Sequence, residues 1–311
     1  MSSTRNSRFR LAAACLVAAC LLPSCGRPAA SSFDGRRAYE WVERQTAFGP
    51  RAPGTAGHDS CFAFLDATLR RLAPVVVADT FHYTVPSLGR DVTLYNVVAR
   101  FRPEATQRVL LGAHWDTRLW ADLDRDPVRR REPILGANDG ASGVAVLLEL
   151  ARVLHDFDPA IGVDIALFDG EDLGTPEDPR GWFRGSKQYV MQHAAADPPI
   201  FAVIIDMVGR KGLELHWEGI SYERAGNIVD LVWGVARNLN IRAFRSDVRV
   251  HVHDDHVPFL DAGIPAIVLI EFPFPEWHTH DDVPSIIDPQ SLEAVGRVLH
   301  RLVSEPTFLD D

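Results

Sequence analysis

Four short apolar runs along the chain each give way to a side chain of a type that binds metal ions. Val109-Leu110-Leu111 leads into Gly112-Ala113-His114-Trp115-Asp116. Val163-Asp164-Ile165-Ala166-Leu167-Phe168 leads into Asp169-Gly170-Glu171-Asp172, Phe201-Ala202-Val203-Ile204-Ile205 stops at Asp206, and Ala266-Ile267-Val268-Leu269-Ile270 leads to Trp277-His278. The run at 109–112 is apolar at consecutive positions, as a strand buried on both faces is. Val75–Tyr83 and Val92–Phe101 read as two further strands. Helical spacing marks residues 34–46, with Asp34 as N-cap, and Thr55–Leu72, with apolar positions at Cys61, Phe64, Leu65, Leu69 and Leu72. Ala141–Phe157 is an apolar, alanine-bearing helix, and Ser186–His193, Ser221–Asn238, His256–Ala262 and Pro289–Val303 are predicted helices. The alternation of strands and helices predicts an α/β fold. No linker breaks residues 34–305, which read as one domain.

Ligands in open α/β sheets bind outside the carboxyl ends of the strands. If the four runs are neighbours, their acids and imidazoles meet in one cleft. Like charges there oppose ionisation, and a divalent cation removes the conflict. A metalloenzyme is therefore expected.

Composition narrows the class. The chain has 311 residues, 46% of them hydrophobic, and a formal net charge of −10. Outside the extreme N-terminus the only basic cluster is Arg129-Arg130-Arg131, so nucleic acid is excluded as an expected partner. Residues 1–25 read as an export signal: Arg5, Arg8 and Arg10 precede an apolar stretch from Leu11 to Leu22, shorter than a membrane span of about 20 residues. Leu22-Pro23-Ser24-Cys25 resembles a bacterial lipobox, with Val17-Ala18-Ala19-Cys20 as a competitor. The expectation is an exported protein held to a bacterial membrane by a lipid on Cys25 (or Cys20), facing the periplasm or exterior; secretion as a soluble product is the alternative. Residues 26–33 read as a tether. Cys61 is the one cysteine beyond the leader and reads as a small buried hydrophobe.

Each candidate residue has a bland reading beside the chemical one. In His114-x-Asp116 the acid can orient the imidazole or merely support the backbone. Asp139, in Gly136-Ala137-Asn138-Asp139-Gly140-Ala141-Ser142-Gly143, can be a helix cap, but Gly140 and Gly143 permit close backbone approach beside it. Glu171 and Asp172 are adjacent acids after a buried strand: one can ligate a cation while the other acts as general base. Asp206, if buried, needs a partner or a cation. In His251-Val252-His253-Asp254-Asp255-His256, Asp255 can cap the following helix. Trp277 offers a flat apolar wall beside His278. The charged segment Leu119–Leu135 reads as a surface loop near the cleft mouth with solvated charges, and Thr175–Arg184 as a second loop.

Taken together and in this order, these stretches resemble the superfamily of zinc aminopeptidases and glutaminyl-peptide cyclotransferases, from about Ala47 to Leu302. The resemblance implies a single three-layer domain with a mixed, mostly parallel central sheet and helices on both faces. It implies that Asp139, Asp172 and His278 hold Zn2+, that Glu171 transfers protons, and that His114 and Asp206 complete a second metal site in the two-zinc members, with Asp139 bridging. Asp254 and Trp277 stand where the aminopeptidases usually carry Ser and Tyr, which points to the cyclotransferase side. The implied reaction converts N-terminal Gln of peptides or proteins to pyroglutamate, releasing ammonia, with one zinc ion, Trp277 against the substrate, and Asp206 and Asp254 in a hydrogen-bond network near the leaving group. The alternative is a two-zinc aminopeptidase. The chain departs from the animal cyclotransferases at Asp172, where they have Glu, near Val268, where they have His, and in lacking their disulfide.

Overall fold

The first two helices begin where short polar side chains take up orphan backbone N–H groups. Asp34 accepts from Arg36 N at 2.8 Å and opens α1 (Gly35–Thr46), and Thr55 accepts from His58 N at 3.2 Å and opens α2 (Ala56–Leu72). The computed structural model describes residues 32–194, 197–306 and 308. The expected export signal and residues 26–31 lie outside the described residues.

A hairpin follows, β1 (Val75–Val85) and β2 (Arg90–Phe101). Next come β3 (Arg108–His114), α3 (Ala141–Asp156), β4 (Gly162–Phe168), α4 (Arg184–Tyr189) and β5 (Phe201–Asp206). The chain continues through β6 (Leu215–Glu218), α5 (Gly219–Asn238), β7 (Phe244–Val250), α6 (His256–Asp261), β8 (Ala266–Ile270) and α7 (Pro289–Ser304).

Six strands form one sheet in the order β1-β2-β4-β3-β5-β8. β2 is antiparallel to both β1 and β4, whereas β4, β3, β5 and β8 run parallel. Every residue of β3, β4, β5 and β8 is buried, which explains their largely apolar character; Asp164 inside β4 is paired with the equally buried Arg108 at the start of β3. α3 lies on β3 and β5, with α1 and α7 packed against it. α4 and α6 cover the sheet at β2, β4, β5 and β8, joined by an aromatic cluster of Phe168, Tyr189 and Phe259 with ring centres 5.7–6.1 Å apart. The three-layer, mostly parallel expectation is borne out.

Two differences from the sequence reading have physical reasons. β6 and β7 pair in parallel beside the main sheet and were not expected as strands. Phe244-Arg245-Ser246-Asp247-Val248-Arg249-Val250 is largely exposed, so burial leaves no apolar signature on it. Phe33, expected to end a tether, is buried: its ring fills the space over Gly296, where an added Cβ would lie 2.1 Å from it.

Candidate metal centre and active site

The parallel strands deliver their last residues to one edge. Gly112 of β3 pairs with Ile204 of β5, which sets His114 and Asp206, two residues further along, side by side. His114 Nε2 lies 3.1 Å from Asp206 Oδ1 and 3.2 Å from Asp139 Oδ1. His278 Nε2 lies 3.6 Å from both Asp139 Oδ2 and Asp172 Oδ2. Thus Asp139, Asp172 and His278 form one buried group of potential ligands, and His114, Asp139 and Asp206 form another, with Asp139 common to both.

The turn that carries Asp139 fits only because of two glycines. A Cβ on Gly140 would stand 2.4 Å from the His114 carbonyl oxygen and 2.6 Å from its imidazole, and one on Gly143 would meet the Ile205 carbonyl oxygen at 2.3 Å. Gly140 occupies the cap position of α3 without any side-chain capping bond, so Asp139 is free of the capping role considered for it. Asp255 likewise makes no capping bond; its carboxylate accepts from the Ser186 hydroxyl.

Burial dominates the electrostatics. It pushes Asp172 and Asp206 up to about 6 against the opposing pull of His278 and His114 respectively. Burial and the neighbouring Asp206 push Asp254 up to about 7. Burial also raises Glu171 well above the usual carboxylate range, with Asp172, Asp254 and Asp255 adding to it. Burial opposes the charge of Asp139 too, but His114, His278 and Arg118 outweigh it and hold Asp139 low. So many buried acids around two imidazoles call for a cation.

The donor set fits zinc. Asp172 Oδ2 is buried without a hydrogen-bond partner. Its 3.6 Å spacing from His278 Nε2 is close to the roughly 3.4 Å that separates tetrahedral ligands held about 2.0–2.1 Å from a zinc ion.

Further residues brace this centre. Asp116 accepts the backbone N–H groups of both Glu171 and Asp172, at 3.1 and 3.3 Å, which is the backbone-supporting role of the two considered for it. Arg118 donates to Asp172 Oδ1 at 2.9 Å and to both oxygens of Asp122. Asp122 Oδ1 in turn stands 3.2 Å from His278 Nδ1. Asp124 accepts from the backbone N–H of His280 and faces its ring at 2.7 Å. The loop at 119–135 is therefore tied to the candidate metal centre at Asp122 and Asp124 rather than merely solvated. Sequence reasoning missed Arg118 and Asp122, because nothing local distinguishes a charge that finds a distant partner from one that faces water. Cys61 is buried as expected, its thiol pushed up to about 12 by burial.

A cavity of about 650 Å3 opens over these acids. Glu171, Asp206 and Asp254 line it beside Trp182, Phe183, Phe272 and Trp277. Trp277 is half-buried, its ring centre 4.0 Å from that of His278 and 4.7 Å from Phe272, edge to face. Five non-glycine residues adopt left-handed backbone among the described residues, and three of them, Phe183, Met207 and His278, line this cavity. Such strain gathers where surrounding structure forces it, and costs of order 1–3 kcal/mol per residue.

Similarity to known proteins follows the same residues. The chain is 38% identical to Porphyromonas gingivalis glutaminyl cyclase, covering 89% of this chain and 100% of that one with a TM-score of 0.84. It is 35% identical to a Zn-dependent exopeptidase from Parabacteroides distasonis, over 89% and 100% of the two chains, with a TM-score of 0.86. The glutaminyl-peptide cyclotransferase of Drosophila melanogaster is 26% identical over 82% of this chain and 77% of its own. Residues 96–303 match peptidase family M28, and with the ligand groups found at the strand ends this chain belongs to that family.

Proposed function

We propose that this chain is a zinc-dependent glutaminyl-peptide cyclotransferase acting on the N-terminal Gln of peptides or proteins. The observation that carries this reading is the placement of Glu171. It is a half-buried acid with raised proton affinity, facing a cavity over Asp139, Asp172 and His278. The similarity to glutaminyl cyclases over nearly nine-tenths of the chain supports it.

Asp139, Asp172 and His278 are the residues that would hold zinc, which when bound supplies Lewis-acid polarisation of the substrate γ-carbonyl. The substrate carries its own nucleophile. Its α-amine attacks the γ-carboxamide carbon, and Glu171 takes the proton the amine loses. The C–N bond to the amide nitrogen then breaks, Glu171 returns a proton to that nitrogen, and ammonia leaves. Asp206 and Asp254, which line the same cavity with raised proton affinity, form the acidic network near the leaving group. Trp277 gives the substrate a flat wall. Ring closure within one molecule has the advantage of high effective molarity, and no hydroxide is required.

One ion suffices for this chemistry. His114 Nε2 lies 3.1 Å from Asp206 Oδ1, a spacing that suits a hydrogen bond in a one-ion enzyme and shared ligation in a two-ion one. The two-zinc aminopeptidase remains the second reading, since His114, Asp139 and Asp206 also form a ligand group. Incubation of the purified mature chain with Gln-peptides and Leu-anilides separates the two: ammonia without aniline supports the cyclase, aniline without ammonia the peptidase. Metal content per chain, without prior loading in excess zinc, separates one ion from two.

The site is proposed to work at a membrane surface, through a lipid on Cys25 (or Cys20). No described helix is long and apolar enough to cross a membrane, so an anchor would come from the leader. Cys25→Ser together with Cys20→Ser should move the protein from the membrane to the soluble fraction. Fractionation unchanged by both substitutions would overturn the anchor.

A further inference from the structure

Two of the proposed zinc ligands reside on loops far apart in the chain, and one side chain fastens those loops together. Asp282 lies four residues beyond His278 and is fully buried. Its Oδ1 accepts the backbone N–H of Asn138 at 2.7 Å and its Oδ2 that of Asp139 at 3.1 Å. Its own carbonyl accepts the N–H of Ala137 at 3.3 Å. Three consecutive amides of the turn that presents Asp139 are thus held by a single residue of the loop that presents His278.

The rest of the turn is fixed from other directions. Arg51, fully buried, donates to the carbonyls of Leu135 and Gly136, both at 2.7 Å. Asn138 Oδ1 accepts from Gly209 N at 2.8 Å, tying the turn to the segment that follows Asp206. These contacts hold its carbonyls and its far side. Asp282 alone among the described residues spans from the amides at 137–139 to the His278 loop. A carboxylate suits this position because, with two acceptor oxygens and no donor, it can receive two neighbouring N–H groups at once. An amide in its place would turn an NH2 toward one of them.

We propose that Asp282 is a positioning residue for the metal centre, setting the separation of Asp139 from His278 through the backbone of the Asp139 turn. It is in neither group of potential ligands. Its effect rests on the zinc reading given above, and partners of this kind typically change metal affinity by about 10–100-fold.

The test is zinc affinity by competition with a chromogenic chelator, together with thermal melting of the metal-free proteins, for the parent, Asp282→Asn and the remote core variant Val42→Ala. The expected result is zinc binding at least tenfold weaker in Asp282→Asn, and less than threefold weaker in Val42→Ala even where the two variants lose similar melting temperature. An affinity for Asp282→Asn within threefold of the parent overturns the proposal, as does equal weakening in Val42→Ala. Should Asp282→Asn fail to fold, Asp282→Glu carries the same test: its extra methylene displaces the acceptors while keeping the charge, so a tenfold loss supports the role and an unchanged affinity overturns it. A parent chain that binds no zinc would instead overturn the metal reading itself.

Discussion

His278 faces Asp122 through Nδ1 at 3.2 Å while its Nε2 points at Asp139 and Asp172. A carboxylate on the far nitrogen fixes the tautomer and aims the other nitrogen at a metal. Asp122 is itself held by Arg118, which also grips Asp172. One guanidinium therefore couples a proposed ligand to the brace of another. Asp122→Asn is expected to weaken zinc binding by about 10–100-fold with little loss of folding stability, because the side chain is 43% exposed. Chelator competition and thermal melting on the same preparation check both halves.

Glu171→Gln is expected to lower turnover of a Gln-peptide by at least about 10²–10⁴-fold, the usual contribution of a positioned acid–base, while the zinc content stays that of the parent. Elemental analysis of the purified variant decides it. Loss of metal would mean that the roles of Glu171 and Asp172 are exchanged.

Gly140→Ala puts a methyl group 2.4 Å from the His114 carbonyl oxygen and against its ring. The contact is with backbone, so no side-chain rotation relieves it. Overpacking of this kind costs about 1–3 kcal/mol, and the displaced neighbours are His114 and Asp139. A fall in melting temperature together with weaker zinc binding is expected. Both are measurable without substrate.

Acid stability should depend on Glu218. Burial opposes its charge, but His256 and the N–H groups of Ser221, Ile220 and Val252 outweigh burial and hold it down at about 2. A carboxyl whose folded value is depressed stabilises the fold above its unfolded value of about 4.3. That contribution fades as pH falls from there toward about 2. Glu218→Gln should lose stability at pH 7 and show a flatter decline between pH 5 and 2 than the parent. Urea melts across that range provide the comparison, and parallel slopes would refute it.

The central strands were legible because burial on both faces leaves largely apolar runs, and the strand-end rule then gathered His114, Asp172, Asp206 and His278 at one edge. Asp139 was legible through its glycines. What could not be read was whatever depended on a remote partner. Arg118 and Asp122 sit in a charged stretch whose composition suits a solvated loop, and only folding brings Asp172 and His278 to them. Asp282 carries no local pattern at all. β7 is exposed along nearly its whole length on a small outlying sheet, so hydropathy did not mark it.

The left-handed backbone at the half-buried Phe183 sets two kinds of fitness against each other. Glycine there would relax the chain and raise its resistance to heat, yet it would slacken the wall of the cleft. A laboratory lineage chosen only for surviving high temperature should therefore drift toward glycine or asparagine at this place and grow slower as a catalyst. One chosen for speed should keep the bulky ring and tolerate the tension.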